Sequence, residues 1–362
     1  MTNNYIIRPY KHGDEENIVD LLNLVFHEWP HFDLACTSSD HWKWKYLDNP
    51  NELKIIAIAE LDERIIGCWH RIPQKIKFGD QIIYATQGVD VAVHPDFQGK
   101  GISTKLRELA QDISLQNNMP MMIGINTNPI IRESAIRRGY SDFPNFRVMV
   151  KIHNIDLHLK MTESKYKIFK KWGYYTYKFM NNLEKLKMKK NEKEINIFNI
   201  EKFDDRINQF WNEIEKNYNF MVIKNKGYLN WRFCDPRAGK YIIKQAEEDD
   251  HILGYCILRI NKYKKEYLTG YIIDLITLPH RLDVAEALIN NAILYFNKIK
   301  VNSIRCWQFK NSIYNLLKKH DFINLEKIFL QYKFLDKTPT LKNLGIIPSD
   351  SLHFSMGDSD SI

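Results

Sequence analysis

The chain has few features of secreted, metal-binding or membrane proteins. Its 362 residues include only five cysteines, dispersed and odd in number: Cys36, Cys68, Cys234, Cys256 and Cys306. No Cys-x-x-Cys pair or Cys/His spacing suggests a metal site, so we expect free thiols in a reducing compartment and no metal. There is no run of about 18 apolar residues, and the chain does not begin with a basic segment followed by an apolar one. These absences predict a soluble, cytoplasmic protein without a membrane span.

The sequence also lacks two well-known glycine motifs for nucleotide binding. A Walker loop requires Gly-x-x-x-x-Gly-Lys-Ser/Thr, and no such run is present. A Rossmann fingerprint requires Gly-x-Gly-x-x-Gly, but Thr104 stands where a third glycine would follow Gly99 and Gly101. The glycines of this chain therefore do not indicate either class of nucleotide-binding protein.

Residues 89–103 nevertheless predict an anion site. An apolar strand leads into a turn marked by Pro95, then into a loop with Gly99 and Gly101, then into a helix. The apolar residues of that helix recur at the spacing of a core-facing stripe: Ile102, Leu106, Leu109, Ala110 and Ile113. The first amides of a helix lack partners within it, and glycines let the backbone approach a phosphate closely. Lys100 adds a full positive charge.

The string Val-x-Val-x-Pro-x-x-Gln-Gly-x-Gly in this segment resembles the acetyl-coenzyme A signature of the GNAT superfamily of N-acyltransferases. Further matches are Ile7-Arg8-Pro9 near the start, Asn128, and Gly139-Tyr140, so the resemblance covers roughly residues 5–150. It implies acetyl-CoA as acyl donor, with these groups in contact: main-chain atoms of Val91 and Val93, the pyrophosphate loop Gln98, Gly99, Lys100, Gly101, Ile102 and Ser103, and Asn128 at the pantetheine arm.

The catalytic groups are less well defined than the donor site. Many family members carry a tyrosine that protonates the leaving thiolate four residues before Gly-Phe, and Ala135 occupies that position here. Because a thiol has a pKa near ~8.5, coenzyme A could also leave as thiolate. Asp90, in an apolar run where burial would raise its pKa, is our candidate for the general base. Asp274 occupies the matching place in the second half, so a structural role for both aspartates stays open.

The second half of the chain repeats features of the first. Trp44 and Trp231 are 187 residues apart, as are Gly67 and Gly254, and each pair lies in a similar local sequence. We therefore predict an α/β protein of two tandem GNAT-like domains, each a mixed, mostly antiparallel central sheet flanked by helices. The predicted boundaries are residues 1–155 for the N-terminal domain, 156–195 for a basic insertion, 196–335 for the C-terminal domain and 336–362 for a tail. The second copy has no Gln-Gly-x-Gly, which predicts a degenerate acyl-CoA site there.

The two non-repeated segments have biased compositions. Residues 156–195 contain eleven lysines against five acidic residues, an excess of six positive charges within the chain's net +8. Nucleic acid or anionic lipid could bind such a segment, but it lacks arginine, and a solvated insertion is the simpler interpretation. The C-terminal Gly-Asp-Ser-Asp-Ser-Ile resembles a disordered tail, with a place in the substrate pocket as the alternative.

Together these features predict an acetyl-CoA-dependent N-acyltransferase acting on the primary amine of a small molecule, with an amino sugar or sugar nucleotide as the suggested class. We do not expect nucleic acid as a partner, and the oligomeric state is left open. Two alternatives remain. One is a non-catalytic acyl-CoA-binding protein, suggested by Ala135. The other is a Fem-type aminoacyl transferase, for which the intact glycine loop would be unnecessary.

Overall fold

The computed structural model describes residues 5–30, 34–143, 146–161, 175, 195–261, 267–326, 328–335 and 348–360. Elements of the first part are β1 (Ile6–Pro9), α1 (Glu15–Phe26), α2 (Ser38–Tyr46), β2 (Ile55–Leu61), β3 (Arg64–Phe78), β4 (Gln81–Val93), α3 (Ile102–Gln116), β5 (Met121–Asn126), α4 (Pro129–Arg137), β6 (Ser141–Asp142), β7 (Arg147–Ile152) and α5 (Ile155–Met161). Those of the second part are β8 (Asn196–Ile200), α6 (Arg206–Ile214), β9 (Phe220–Val222), α7 (Lys226–Phe233), β10 (Ile242–Glu248), β11 (His251–Asn261), β12 (Thr269–Thr277), α8 (Leu282–Ile299), β13 (Ser303–Gln308), α9 (Asn311–Lys319), β14 (Ile323–Glu326), β15 (Phe329–Phe334) and β16 (Leu352–His353).

The strands form two mixed sheets that are mostly antiparallel. The first has the order β1-β2-β3-β4-β5-β15-β6, with β9 paired to β3 and β16 paired to β9. The second has the order β14-β7-β13-β12-β11-β10-β8. Each contains a parallel pair at its centre, β4 with β5 and β12 with β13, and the first sheet contains a second parallel pair, β9 with β16. The predicted fold class, mostly antiparallel sheets flanked by helices, is confirmed.

The two sheets exchange strands, which the sequence did not indicate: the first sheet contains β9, β15 and β16 of the second half, and the second sheet contains β7 of the first half. Strand β15, from near the end of the chain, pairs with β5 along its whole length, from Phe329 opposite Asn126 to Phe334 opposite Met121. Strand β7, from the first half, pairs in the same antiparallel way with β13 of the second sheet. The domain boundaries at residues 155 and 196 stay predictions, but each sheet contains a strand from the other half of the chain.

Helices cover both faces of the first sheet. Helices α1 and α2 bury Ile18, Leu22 and Trp42 against one face, while α3 buries Ile102 and Leu106 against the other. The helical stripe predicted for α3 is thus its core face. Burying a side chain of this size is worth about 1.5–3 kcal/mol, so the stripe fixes the position of the helix and of the loop before it.

Corresponding features of the two halves meet at their junction. The indole rings of Trp44 and Trp231 stack with centroids 5.1 Å apart and planes 23° apart. Each indole N–H donates to the main-chain oxygen of the other tryptophan, at 2.9 Å from Trp44 and 3.1 Å from Trp231. This reciprocal contact is what an approximate two-fold relation between the halves would produce. It supports the tandem arrangement, which remains our hypothesis, and confirms packing as a role of these tryptophans.

The expectation of a disordered C-terminus is wrong for residues 349–360. Phe354, Met356, Asp358 and Ser359 are all at most 4% exposed. Gly357 passes so close to Phe233 that a Cβ at this position would lie 2.5 Å from the ring. The polar composition suggested disorder, but the charged side chains Asp358 and Asp360 form ion pairs with Lys224 and Lys45, which are distant in the sequence. We call residues 349–360 the C-terminal segment below.

The remaining sequence expectations concern the cysteines, the membrane and the basic insertion. Cys68, Cys256 and Cys306 are buried free thiols, while Cys36 and Cys234 are half-buried free thiols. Among the residues described, no helix has the length and apolar character needed to cross a bilayer. The insertion at residues 156–195 lies outside the described residues except for 156–161, 175 and 195.

Candidate acyl-donor site

The loop before α3 has the backbone conformation that its glycines permit. Gly99 has φ of +75° and Gly101 φ of +77°, both in the left-handed region that side chains disfavour. A Cβ at either position would meet nothing within 4 Å, so the space beside both glycines is open. The glycines are therefore required by backbone conformation, and the loop surface they leave is accessible to a ligand.

The N-terminus of α3 is free to bind an anion. Its N-cap is Gly101, which offers no side-chain acceptor, and its first turn contains no acidic residue. Within the described part of the chain, the backbone N–H groups of residues 99–103 donate no hydrogen bond. Unpaired amides and the helix dipole together favour a negative group here. This is the geometry expected of a pyrophosphate site, and it fits the loop predicted to bind coenzyme A.

The strands beside this loop separate to form a cleft. Strands β4 and β5 pair only from Ala85 to Gln87, opposite Met121 to Ile123. Beyond that point β4 stays paired with β3, while β5 follows β15, so the predicted donor strand Val91–Val93 has one edge without a neighbouring strand. A polar ligand chain could form main-chain hydrogen bonds along such an edge. We call the point where the pairing ends, at Gln87 and Ile123, the apex of the cleft.

The cleft lies on the α3 face of the sheet and has a volume of about 550 Å³. Its lining combines strand, helix and loop residues: Trp69, Arg71, Gly88, Ser103, Thr104, Arg107, Gln111, Met122, Ile123, Gly124, Ile125, Asn126, Ala135, Arg138, Tyr140 and Lys333. None of these lining residues is acidic. Burial lowers the pKa of Arg71 to about 10, and burial together with Arg107 and Arg138 lowers the pKa of Lys333.

Gln98, Lys100 and Asn128, also predicted for the donor, are not among the residues that line this cleft. The Gln98 side chain donates to the oxygen of Val93 at 3.0 Å, and the Lys100 ammonium donates to the oxygen of Asp96 at 3.0 Å. Asn128 is the N-cap of α4, and its side-chain oxygen accepts from the Ile130 amide at 2.9 Å. Its contact with a pantetheine arm stays a prediction, and Asn126 is the asparagine that lines the cleft.

A phenol is present in the cleft although Ala135 lacks one. Ala135 lines the wall, and Tyr140 lies beside it, with the Cε1 atom of its ring 3.6 Å from where a Cβ at Gly124 would be. Burial raises the pKa of Tyr140, so the hydroxyl keeps its proton at neutral pH. Tyr140 therefore provides a protonated phenol in the cleft that Ala135 also lines, although Ala135 itself replaces the tyrosine of many family members.

Asp90 lies on the opposite face of the sheet, in a saturated network. It occupies a bulge in β4 with φ of +44°. Its carboxylate accepts from the Trp29 indole at 2.8 Å, from the Lys45 ammonium at 2.6 Å and from the Tyr46 hydroxyl. Burial alone would raise the pKa of Asp90, but Lys45 and His70 outweigh it and lower the pKa to about 2. A carboxylate with this pKa and three donors is a weak base, so its catalytic role stays a prediction that these contacts do not favour.

A second, central cavity lies on the same face as Asp90. It is lined by α2, by the apex residue Gln87, by the stacked Trp44 and Trp231, and by residues 357–360 of the C-terminal segment. Asp360 pairs with Lys45 at 2.7 Å and thereby shares this cation with Asp90. The free space is only about 20 Å³, room for about one water molecule. A place in the substrate pocket, the alternative that the sequence left open for this segment, stays a prediction.

Comparison with known proteins agrees with this geometry. No curated protein sequence matches the chain significantly. The family model described as acetyltransferase (GNAT) domain matches residues 6–140. Among the residues described, no group of three or more His, Cys, Asp or Glu side chains could hold a metal.

Solved structures share the fold at low sequence identity. A GCN5-related N-acetyltransferase from Kribbella flavida aligns with TM-score 0.60 and 12% identity over 92% of this chain and 72% of that one. Another from Anabaena variabilis aligns with TM-score 0.59 and 11% identity over 92% and 73%. Saccharomyces cerevisiae N-myristoyltransferase with bound myristoyl-CoA aligns with TM-score 0.57 and 11% identity over 92% and 80%. Residues 6–140 therefore match the model of a GNAT acetyltransferase domain, and the solved structures share the fold of the chain.

Proposed function

We propose that the protein transfers an acyl group from coenzyme A to the primary amine of a small molecule. The observation that carries this proposal is the free N-terminus of α3, which adjoins the cleft between separated strands. The loop at residues 98–103 would hold the pyrophosphate, and the free edge of Val91–Val93 would hold the pantetheine arm. Acetyl-CoA is the reference donor, and an amino sugar or sugar nucleotide is the acceptor class suggested by the sequence.

The transfer needs little covalent chemistry from the protein. The neutral amine nitrogen attacks the thioester carbon, the carbon–sulfur bond breaks, coenzyme A leaves as thiolate, and the nitrogen loses one proton to solvent as the amide forms. Backbone N–H groups of the Val91–Val93 edge are available to stabilise charge on the thioester oxygen. Tyr140 can give its proton to the thiolate, because its raised pKa keeps it protonated. Positioning of the two substrates supplies the rest.

The acceptor would approach from the central cavity, on the face opposite the donor cleft. Gln87 lines this cavity directly at the apex, one residue from Gly88 of the cleft. The faces of Trp44 and Trp231 offer flat apolar surface of the kind that sugar rings contact. Because the cavity is nearly filled, an acceptor of this size requires the C-terminal segment to shift.

That requirement also supports the second candidate, a non-catalytic acyl-CoA-binding protein. With residues 357–360 docked as described, the protein would bind a donor without admitting an acceptor. A thiol-release assay over a panel of primary amines separates the two candidates. Turnover on any amine supports the transferase, and donor binding without turnover on every amine supports the alternative.

The donor site itself is tested by a thermal shift with acetyl-CoA. At a concentration of about 100 times Kd, the ligand should stabilise the wild type by roughly 2.7 kcal/mol. Gly101→Trp fills the loop surface and should abolish this shift, whereas Gly101→Ala adds only strain at positive φ and should retain part of it. Arg281→Trp, at the N-cap of α8 in the second half, is the matched control and should show the full shift. An equal shift in wild type and Gly101→Trp would refute the loop assignment.

A further inference from the structure

Arg71 is a buried cation that the transfer chemistry above does not use. Its side chain is on β3, is 3% exposed, and lines the donor cleft. One terminal nitrogen donates to the Thr86 hydroxyl at 3.3 Å and to the Met122 sulfur at 2.9 Å, while Nε has no partner among the residues that the structure describes. No described carboxylate lies within ion-pairing distance of it. A buried guanidinium with two neutral, weak acceptors is costly, and an apolar residue would fill the same space more cheaply.

A second unpaired donor lies beside the same space. The indole Nε1 of Trp69 is buried, has no partner in the described part of the chain, and lies 3.4 Å from where a Cβ at Gly88 would be. Arg71 is directly opposite Gly88 in the β3–β4 register. Arg71 and Trp69 therefore place two hydrogen-bond donors next to one position in the cleft. A ligand with an acceptor group at this position could pair with both.

This position is at the apex, far along the cleft from the pyrophosphate loop. Gly88 follows the last β4 residue paired with β5, and Gly124 follows the last β5 residue paired with β4. Neither has a side chain, so the apex is open on the face where Arg71 lies. A donor anchored at residues 98–103 with its arm along Val93 and Val91 would bring its acyl end toward Gly88. The phosphates and the apex thus occupy opposite ends of the cleft.

We propose that the apex binds a carboxylate at the far end of the acyl chain, so that the preferred donor is the coenzyme A thioester of a short dicarboxylic acid. Arg71 would pair with this carboxylate, Trp69 would donate a hydrogen bond to it, and Gly88 and Gly124 would leave room for it. The step is otherwise unchanged: the neutral amine nitrogen bonds to the thioester carbon, the carbon–sulfur bond breaks and coenzyme A leaves as thiolate. The nitrogen loses one proton to solvent, and the product is an amide with a free carboxylate. The proposal rests on the donor site proposed above.

Equilibrium binding measured by calorimetry tests it, with succinyl-CoA, acetyl-CoA, coenzyme A and dephospho-coenzyme A as probes. The wild type should bind succinyl-CoA at least tenfold more tightly than acetyl-CoA, which corresponds to about 1.4 kcal/mol. Arg71→Met should remove this preference while leaving the affinity for coenzyme A unchanged. Met has a similar length and relieves an unpaired buried charge, so the variant should fold, as circular dichroism can verify. Arg107→Met, which removes another cation of the cleft on α3, should keep the preference.

Three results would overturn the proposal, and they are distinguishable. Equal affinities for succinyl-CoA and acetyl-CoA in the wild type refute the acyl carboxylate and leave the donor site intact. A loss in Arg71→Met of the preference for coenzyme A over dephospho-coenzyme A shows instead that Arg71 contacts the 3′-phosphate. If the wild type binds none of the four probes, the donor site proposed above fails as well.

Discussion

Two helices that occupy equivalent places in the two sheets differ at their N-termini. Helix α3 begins after Gly101, without a side-chain cap or a first-turn acid, whereas α8 begins after Arg281 and has Asp283 in its first turn. Arg281 pairs with Asp283 at 2.8 Å and lowers the pKa of that carboxyl. The second helix therefore satisfies its positive end with its own carboxylate. The fold provides the helix, but local side chains determine whether its end is available to a ligand.

The clefts beside these helices differ in charge more than in shape. A cleft of about 370 Å³ lies between the ends of β12 and β13, as the donor cleft does between β4 and β5. It is lined by side chains of both signs, including Arg281, Lys310 and Asp350, and its turn residue His280 holds a φ of +63° without being glycine. These differences support our hypothesis that the second copy is a degenerate acyl-CoA site.

Both halves contain the same buried arrangement of charges, in which a lysine forms ion pairs with an aspartate of the sheet and with an aspartate of the C-terminal segment. In the first half Lys45 joins Asp90 and Asp360, and in the second Lys224 joins Asp274 and Asp358. The second set is the more enclosed, because the side chains of Asp274 and Asp358 are inaccessible while that of Asp360 is 23% exposed. Substitutions in the two sets test how far this parallel holds.

The largest effect is expected from Lys224→Met. It leaves two buried carboxylates without their cation and should destabilise the fold by about 3–5 kcal/mol. Lys45→Met should cost less, about 1–3 kcal/mol, because its set lies nearer to solvent. Urea unfolding measures both, and Lys226→Met, which breaks an exposed pair with Asp205, should change stability by less than ~1 kcal/mol. Equal losses of unfolding free energy in Lys224→Met and Lys45→Met would contradict the expectation that the more enclosed set contributes more to stability.

The pH dependence of stability should separate the sheet aspartates. Asp90 has a folded pKa of about 2, below the ~3.9 of an unfolded aspartate. Its stabilising contribution is thus complete above pH ~4 and disappears as the pH falls toward 2. Asp90→Asn should lower the free energy of unfolding by about 2–3 kcal/mol at pH 6. This difference from the wild type should become smaller between pH 4 and pH 2.

Asp274→Asn provides the comparison for this experiment. Burial raises the pKa of Asp274, but Lys224 and His353 outweigh burial and lower it. The difference in unfolding free energy between Asp274→Asn and the wild type should therefore also become smaller on acidification. Unfolding midpoints in urea, measured at several pH values, give both curves. A gap that stays constant down to pH 2 would show that neither aspartate is held ionised by its lysine.

The smallest expected effect concerns the contact that joins the halves. Trp44→Ala and Trp231→Ala should be non-additive by about 1 kcal/mol, since each indole stacks on the other and donates to its main chain. The exposed Leu294 provides a control, because Trp44→Ala and Leu294→Ala should be additive. Additivity of the two tryptophan variants would mean that the stacked pair contributes no coupling.

Local patterns in the sequence were sufficient for α3 and the loop before it. The stripe from Ile102 to Ala110 predicts the core face of α3, and the glycines at 99 and 101 predict the φ > 0 that the loop has there. The offset of 187 residues paired Trp44 with Trp231, and the two rings are stacked in the structure. Each of these inferences depends on residues that are close together or on a direct comparison of two short segments.

What depends on distant partners could not be predicted. Strands β7 and β15 are both short and apolar, and nothing in either indicates whether it pairs with β5 or with β13. Asp358 reads as part of a disordered tail until Lys224, 134 residues earlier, is found beside it. Arg71 offered no local signal, because β3 also contains Arg64, Lys75 and Lys77, and its position in the cleft depends on Gly88 across the sheet.

The strand exchange has a consequence for how the protein is made. Strand β5 leaves the ribosome early, but the strand that pairs with its outer edge, β15, follows only near the end of synthesis. The edge of β5 with its apolar residues must therefore wait, unpaired, while most of the second half is translated. Because β15 belongs to the second half, the first half of the chain alone would leave that edge of β5 without its partner strand.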